Sequence, residues 1–413
     1  MIKKSINLNR EASFLLLIFF LALVLRLLFN IFIVGLDTPP INDATQYDAI
    51  GYNLAKGNGF MLDEPVMGVN SKITSYRAPL LPFLLSGVYK IFGHSYSTAK
   101  IMLSILGAFT CIVIYFIGKH TFDRKVGFLS ALISCIYPFF IYYTGYLLSE
   151  TPFVMLVCMF VLSLVLAREK GAYRYFIMAG ILLGLACLCK PIFLAIPPFI
   201  LLWLIIVQRY RMQDSLKRFV VIILAMILII APWTIRNYKV QHAFVPVTSS
   251  LGSVLWQANN PQAKGKTMGY LMEWDSNELF ESEDDLNSYY QNLALNYIKE
   301  HPKRFFCLAG IRFLEFWKIT SYRVSLAKNL GSIMSYGVIL LFFILGVALS
   351  LRYWRKTLLL IMIISYYTLI HMVFLAEVRY RLPIEPFLIV FAAYAILQIV
   401  SVFRRQHNIS LRI

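Results

Sequence analysis

The stretch "FLLLIFFLALVLRLLFNIFIV", residues 14–34, is the first of the runs that decide the fold. It is almost wholly apolar, and Arg26 is the charged residue that interrupts it. A helix needs about 20 apolar residues to cross about 30 Å of hydrocarbon, so this run is long enough to span a membrane. It is too long for the apolar region of a signal peptide, and it lacks a small-residue cleavage site. We therefore predict an uncleaved first transmembrane helix.

Comparable apolar runs recur along the chain. They cover residues 98–117, 127–145, 147–167, 175–189, 191–207, 219–234, 333–351, 357–375 and 386–403. The composition agrees, with 59% hydrophobic and 15% charged residues among 413. The sequence therefore predicts an all-α polytopic membrane protein with about ten transmembrane helices. It shows no tandem repeat and no low-complexity linker, so residues 1–413 are interpreted as a single membrane domain.

Charge sets the predicted orientation. With the N-terminus inside, the cytoplasmic segments are 1–13, 118–126, 168–174, 208–218, 352–356 and 404–413. They hold 19 Lys and Arg against 4 Asp and Glu, whereas the rest of the chain holds 20 against 17. Because short inside loops are rich in Lys and Arg, both termini are predicted to be cytoplasmic. The long loops 36–96 and 235–331 then lie outside, and the basic pI of about 9.6 reflects topology and not nucleic-acid binding.

Both outside loops contain a segment suited to the membrane surface. Residues 75–93, "SYRAPLLPFLLSGVYKIFG", are apolar but too short to span comfortably. Residues 301–319, "HPKRFFCLAGIRFLEFWKI", carry Arg304 and Arg312 opposite an apolar face. The acidic stretch 273–286, "EWDSNELFESEDDL", is predicted to be the solvated face of an outside helix.

Two carboxylates stand at the outside ends of predicted helices. In "PPINDATQYDAIGYNLAKGNGF", residues 39–60, Asp43 and Tyr47 are four residues apart and share one helical face. Asp43 fits either a helix N-cap or a catalytic base. In "YYTGYLLSETPF" Glu150 stands at the outside start of a transmembrane run, where a carboxylate is costly without a partner. It is therefore either a capping residue or a second catalytic carboxylate.

Cations also gather at outside helix ends, against the trend set by the inside loops. One explanation is that long basic side chains reach from helix ends to lipid headgroups. The alternative is an anion site, for which phosphate is the obvious ligand. The candidates for such a clamp are Arg77, Lys190, Arg236, Arg379 and Arg381.

Carboxylates and cations at a lipid–water boundary favour transfer of a sugar from a lipid phosphate. Such a donor already carries a good leaving group, so cations that neutralise the developing phosphate charge replace a general acid. The reaction then needs a base that takes the proton of an acceptor hydroxyl as it attacks the anomeric carbon. Asp43 is the predicted base, with Tyr47 or another neighbouring residue orienting it.

The sequence resembles a known group, the GT-C glycosyltransferases that use polyprenyl-phosphate sugars. It is similar to bacterial relatives of the dolichyl-phosphate-mannose protein mannosyltransferases and of the lipid A aminoarabinose transferase. The similar parts are "INDATQYDAIGYNLAKGNGF", "YRAPLLPFLL", "YTGYLLSETPF", "GILLGLACLCKP", "APWTIRNYKVQHAFVPVTSSLGSVLWQANNP" and "VRYRLPIEPFLIVFAAYA".

The resemblance implies a GT-C-like helical bundle with an extracytoplasmic active site under the first loop. It implies that Asp43 is the first-loop base and that Glu150 is the acidic position opening the fourth helix. Arg379 and Arg381 match basic positions beside the donor phosphate. Asn259 is predicted to bind substrate, although relatives commonly carry Gly-Asn where this chain has Ala258-Asn259.

Two further departures bear on metal binding. Asp43 is followed by Ala44 where eukaryotic relatives usually have Glu, and Arg77-Ala78 precedes Pro79 where the aminoarabinose transferase has Glu-Lys. The histidines and cysteines show no metal-site spacing. No cofactor is therefore implied with certainty, and a divalent metal stays open.

The predicted function is transfer of a sugar, hexose or pentose, from undecaprenyl phosphate or a similar carrier to an outside hydroxyl on a lipid, glycan or protein. The predicted location is the bacterial cytoplasmic membrane, among membrane lipids and without nucleic acid. The main alternative is a transporter or flippase of lipids or lipid-linked sugars, which tends to place ionisable groups near the midplane between repeated halves. A ligase or polymerase of another fold and a membrane scaffold are further alternatives.

Overall fold

The computed structural model describes residues 2–62, 69, 74–207, 211–266, 280–320 and 325–410. The regular elements among these residues are helices, and an isolated β bridge joins Val69 to Phe280. Parts of both long loops, including residues 273–279 of the acidic stretch, lie outside the described residues.

The apolar runs of the sequence form α-helices, and further α-helices lie in the loops between them. In the first half they are α1 (Ile2–Phe29), α2 (Asp43–Lys56), α3 (Leu80–Phe92), α4 (Tyr96–Thr121), α5 (Arg124–Ile136), α6 (Pro138–Tyr142), α7 (Glu150–Lys170), α8 (Tyr173–Cys189) and α9 (Pro197–Val207). In the second half they are α10 (Met212–Gln241), α11 (Leu251–Ala258), α12 (Glu283–Glu300), α13 (Pro302–Trp317), α14 (Leu326–Ser332), α15 (Val338–Ser350), α16 (Trp354–Val373) and α17 (Glu385–Ser410). Short 3₁₀ and π segments connect several of them: Asn30–Val34, Tyr143–Gly145, Pro191–Ala195, Ile333–Gly337, Leu351–Tyr353 and Val378–Arg381.

The chain is a polytopic membrane protein, but the predicted count of ten spans is not confirmed. Among the described residues, six helices are long and apolar enough to cross a membrane, or seven if the bent pair Arg124–Ile136 and Pro138–Gly145 forms one span. Relative to the count of seven, three of the ten predicted spans are missing. Helices α8 and α9 have 17 and 11 residues, fewer than the ~20 that a straight span needs. Runs 333–351 and 357–375 are joined through Leu351–Tyr353 into one helical segment of 45 residues.

Local sequence sets the helix ends. Pro138 has no amide proton and disfavours helical geometry in the residue before it, so Tyr137 is extended and the α5–α6 pair bends by 53°. Ser95 caps α4 by accepting a hydrogen bond from the Thr98 amide. Asp123 caps α5 by accepting from the Lys125 and Val126 amides at 2.8 and 3.0 Å. These ends fix where the chain leaves each helix.

Helix α7 is central to the bundle. It packs against α4 on one side and α8 on another, and α8 packs in turn against α10. The largest apolar core surrounds α7 and α8, and it continues into α16 and α17. A smaller core joins α2 and α3 to α4 around Leu81, Leu85 and Leu103. The first turns of α2 and α7 are thereby held against the same part of the bundle.

The two segments predicted for the membrane surface form α3 and α13. Helix α3 exposes Phe83, Ile91 and Phe92, and α13 exposes Phe306 and Leu314. Their placement at the membrane surface stays a prediction. The described part of the acidic stretch differs from expectation, because Glu283 in the first turn of α12 is buried and not solvated.

Close helix packing at Gly346 gives the first testable prediction. A Cβ at Gly346 of α15 would lie 2.1 Å from the carbonyl oxygen of Phe391 in α17, and backbone cannot move aside cheaply. Gly346→Ala is therefore expected to lower the free energy of unfolding by about 1–3 kcal/mol. The measurement is thermal and denaturant unfolding of the purified protein in detergent. The matched control is Gly310→Ala in α13, where an added Cβ meets nothing within 4 Å. Equal stability of the two variants would contradict the packing argument.

Candidate active site

Asp43 is the point at which several predicted residues meet. It is the first residue of α2, and the N-cap position is Asn42. Its carboxylate takes two cations: Oδ1 accepts a hydrogen bond from Arg77 Nη2 at 2.7 Å, and Oδ2 accepts one from Arg379 Nη1 at 3.3 Å. Asp43 therefore uses its side chain to join the first loop to a segment 336 residues further along the chain.

Arg77 is held firmly at Asp43. Its Nε donates to Gln46 Oε1 at 2.6 Å, and Gln46 lies one helical turn after Asp43. Its guanidinium also stands 5.4 Å from the ring centre of Tyr47 and 5.3 Å from that of Tyr76. Tyr47 is buried, and burial raises the pKa of its hydroxyl, so this residue stays neutral. The structure thus places Tyr47 beneath Arg77, next to Asp43.

Arg379 reaches Asp43 from the 3₁₀ segment that precedes α17. Its Nε lies 2.9 Å from Glu377 Oε2, and its Nη2 donates to the Tyr380 hydroxyl at 3.0 Å. Burial lowers the pKa of Arg379, but the neighbouring carboxylates and tyrosine more than offset burial and raise its pKa. The guanidinium therefore stays charged.

Glu150 and Lys190 form a second ion pair beside the first. Lys190 Nζ donates to Glu150 Oε1 at 2.8 Å, and the Glu150 side chain is almost fully buried. Lys190 also lies 5.8 Å from the ring centre of Tyr380, the tyrosine that contacts Arg379. The charge of Glu150 acts on Arg379 as well, so the two ion pairs belong to one electrostatic unit.

We call this unit the charge cluster. It holds the carboxylates of Asp43, Glu150 and Glu377 and the cations of Arg77, Lys190 and Arg379. With three charges of each sign, the cluster is formally neutral. Burial raises the pKa of Asp43, but the two facing guanidinium groups outweigh burial, and its pKa lies below the ordinary value. Asp43 is therefore an ionised carboxylate with low basicity in this arrangement.

Three predicted site residues lie in other networks. Arg236 donates to the carbonyl oxygens of Thr74 at 2.8 Å and Phe60 at 3.1 Å. Asn259 accepts from Arg312 at 2.9 Å and donates to the Val373 carbonyl at 3.0 Å. Arg381 is fully buried and pairs with Glu385 at 2.9 Å. Their substrate-binding roles stay predictions.

Sequence reasoning missed some polar partners at the site. Gln46 and Glu377 both contact cluster cations, and each had a signal: Gln46 lies three residues after Asp43, and Glu377 lies two before Arg379. Asp48 is the second carboxylate of the quoted loop stretch. It accepts from the Tyr89 hydroxyl at 2.6 Å and lies 3.0 Å from His94 Nε2, away from the cluster. Helix α2 therefore carries two acidic side chains with different partners.

Glu283 ties the first loop to the second. Its carboxylate accepts hydrogen bonds from the backbone amides of Thr74 and Ser75, the latter at 3.0 Å. It also accepts from the side-chain amide of Gln241 at 3.1 Å and the Ser249 hydroxyl at 2.6 Å. Two of these donors immediately precede the Tyr76–Arg77 pair. The buried Glu283 thus fixes the backbone from which Arg77 extends to Asp43.

The charge cluster does not fit a divalent metal ion as it is arranged. Metal ions of this kind need several free oxygen, nitrogen or sulfur donors around one point. In the part of the chain that the structure describes, no group of three or more His, Cys, Asp or Glu could hold a metal ion. Each cluster carboxylate instead faces a basic side chain.

Comparison with known proteins supports the predicted fold. A family model described as dolichyl-phosphate-mannose-protein mannosyltransferase matches residues 76–235. No curated protein sequence matches the chain. Among solved structures, the archaeal oligosaccharyltransferase AglB of Archaeoglobus fulgidus, in complex with an inhibitory peptide and a dolichol-phosphate, is similar with a TM-score of 0.66 at 15% identity. The similarity covers 97% of this chain and 52% of AglB, so this chain spans about half the length of that relative.

Two further structures are similar. The apo form of the Archaeoglobus fulgidus oligosaccharyltransferase has a TM-score of 0.63 at 14% identity, covering 95% of this chain and 52% of that one. ArnT from Cupriavidus metallidurans, bound to undecaprenyl phosphate, has a TM-score of 0.43 at 10% identity, covering 94% and 77%. The family match and the oligosaccharyltransferase fold confirm the predicted resemblance to the GT-C glycosyltransferases.

Proposed function

We propose that this chain, which has the GT-C glycosyltransferase fold, transfers a sugar from a polyprenyl-phosphate carrier to a hydroxyl acceptor, with Asp43 as the general base. The observation that carries the proposal is the charge cluster itself. In this cluster the carboxylate of Asp43 faces guanidinium groups from two distant parts of the chain. Its side chain is 36% exposed, more than that of the other two cluster carboxylates. The oligosaccharyltransferase relative in complex with a dolichol-phosphate supports the choice of a lipid phosphate as donor.

The proposed step is a single displacement at the anomeric carbon. The acceptor hydroxyl oxygen forms a bond to that carbon while its proton passes to the carboxylate of Asp43. The bond between the anomeric carbon and the phosphate oxygen breaks, and its electron pair stays on the phosphate. Attack opposite to the leaving phosphate inverts the anomeric configuration. The departing lipid phosphate gains one negative charge, which the cluster cations stabilise.

The other residues have distinct proposed roles. The proposed contacts of the donor phosphate are the cluster cations Arg77, Lys190 and Arg379. They are the positive charges that lie beside the base Asp43 and its neighbour Glu150. Glu150 holds Lys190 in position, and Tyr47 supports Arg77 from below. Arg236, Asn259 and Arg381 shape the surrounding backbone, and we propose this supporting role in place of direct contact with the donor.

The proposed location follows from the charge distribution. The Lys- and Arg-rich segments face the cytoplasm of a bacterium, both termini are cytoplasmic, and the cluster lies on the outer face of the cytoplasmic membrane. A donor assembled inside and moved across the membrane would then meet acceptors of the cell envelope. The acceptor is a hydroxyl of a lipid, glycan or protein.

The test of this function uses purified protein in detergent and synthetic radiolabelled polyprenyl-phosphate sugars, both hexosyl and pentosyl. We expect release of free polyprenyl phosphate together with transfer of label to a membrane extract. The measurement is turnover of each donor, with heat-inactivated protein as the blank. Tight binding of polyprenyl phosphate without release or transfer for any donor would contradict the enzyme assignment and favour a transporter of lipid-linked sugars.

A further inference from the structure

Both oxygens of the Asp43 carboxylate already face cations, which limits their use as a base. Each guanidinium stabilises the ionised form and thereby weakens the attraction of the carboxylate for a proton. The donor phosphate needs cations as well, yet every cation of the cluster is already paired with a carboxylate. A phosphodiester carries one negative charge, so its binding to the neutral cluster requires one of the existing ion pairs to open or to be shared.

The three cluster cations differ in how easily they leave their carboxylates. Lys190 is paired at 2.8 Å with Glu150, which is almost fully buried. Arg77 has a 2.7 Å contact with Asp43 and a second anchor at Gln46, and its side chain is 20% exposed. Arg379 has the longest contact with Asp43, 3.3 Å, and the most exposed side chain of the three at 28%.

Because Arg379 is the least tightly held of the three cations, we infer that the donor phosphate binds by exchange. The phosphate pairs with Arg379 in place of Asp43 and thereby frees Oδ2 of Asp43 as the basic oxygen. The inference rests on the proposed function and adds an order to it. Arg77 and Gln46 keep Asp43 in position, while Glu377 keeps Arg379 nearby during the exchange. The base therefore reaches its full strength only when the donor phosphate is present, and hydroxyls, including water, are not activated without it.

Exchange at Arg379 makes Asp43 and the donor phosphate competitors for the same cation. The Arg379–Asp43 ion pair competes with the phosphate, so removing the charge of Asp43 should tighten the binding of polyprenyl phosphate. The phosphate binds only those molecules in which Arg379 is released from Asp43. The apparent Kd is therefore the intrinsic Kd divided by the fraction of such molecules, and we expect a change of about tenfold when the competing ion pair is removed. The effect should require Arg379, because Arg379 is the group for which the two anions compete.

The experiment is a double-mutant cycle on the full chain in detergent, with unglycosylated polyprenyl phosphate as the probe. We expect Asp43→Asn to lower the Kd about tenfold in the wild-type background. In an Arg379→Gln background the same change should leave the Kd within about twofold. The matched control is Asp48→Asn, which removes the same charge from the same helix outside the cluster and should leave the Kd unchanged. Asp43→Ser repeats the comparison if thermal unfolding shows that Asp43→Asn does not fold.

Equal tightening in both backgrounds would overturn the exchange, because it would show general repulsion between Asp43 and the phosphate. Inorganic phosphate and phosphatidylglycerol vesicles serve as further probes, and we expect neither to reproduce the pattern. The same pattern with either of them would overturn the assignment of the lipid donor as the exchanging group. Failure of the proposed function is distinguishable, since it would leave the wild type without turnover of any sugar donor whatever the binding pattern.

Discussion

Asp43→Asn is expected to lower turnover of the sugar donor by about 10²–10⁴-fold, the usual contribution of a general base. Asparagine retains the size of the side chain and one oxygen that accepts from Arg77, but it cannot take the proton of the acceptor hydroxyl. The measurement is kcat from release of polyprenyl phosphate, together with Kd for unglycosylated polyprenyl phosphate. Loss of turnover with retained or tighter binding is the expected result.

The matched control for this prediction is again Asp48→Asn. Asp48 lies on the same helix but contacts Tyr89 and His94, so the charge change is equal and the location differs. We expect its kcat to stay close to that of the wild type. Turnover by Asp43→Asn at the wild-type rate would remove Asp43 as the base and leave it a structural partner of Arg77 and Arg379.

Arg381→Met is expected to lower the free energy of unfolding by about 3–5 kcal/mol, the cost of breaking a buried ion pair. Arg381 and Glu385 are 0% and 1% exposed, and their side chains meet at 2.9 Å. Arg381 also donates to the Phe316 and Lys318 carbonyls, each at 2.9 Å. Without the guanidinium, the Glu385 carboxylate is left buried without its cation. The measurement is unfolding of the purified protein by a denaturing detergent.

The double variant Arg381→Met/Glu385→Leu provides the control. Replacement of both charges by apolar side chains avoids the unpaired carboxylate, so most of the stability should return. If Arg381→Met instead keeps wild-type stability but loses polyprenyl phosphate binding, Arg381 belongs to the donor site, as the sequence resemblance suggested, and not to the supporting core.

Arg379 and Arg381 show where sequence reasoning stopped. They are two residues apart, both are arginines, and both stand just before a predicted transmembrane helix, so the sequence assigned them the same role. The 3₁₀ turn Val378–Arg381 directs one side chain to Asp43 and the other into the core beside Tyr336. Side chains two residues apart in a tight turn point in different directions. Spacing in the sequence does not reveal those directions, because the turn type depends on tertiary contacts.

The acidic residues give the same lesson. Asp43 and Asp48 lie in one helix of the same loop, yet the first faces two guanidinium groups and the second a tyrosine and a histidine. Glu283 lies within the acidic stretch 273–286, which is predicted to be solvated, but it is buried against backbone amides of the first loop. Composition could not separate these cases, since it does not record which segments pack together.

The sequence by itself determined the class of membrane protein and the approximate positions of its long apolar helices, but not the number of spans. These features depend on the length and the apolar composition of the runs themselves. The sequence also identified Asp43, Glu150, Arg77, Lys190 and Arg379 as candidates, because charged groups at helix ends are costly in a membrane and need partners. Only the tertiary structure decided which partners they have. Ion pairs between residues hundreds of positions apart form when helices pack, and that packing is a property of the whole chain.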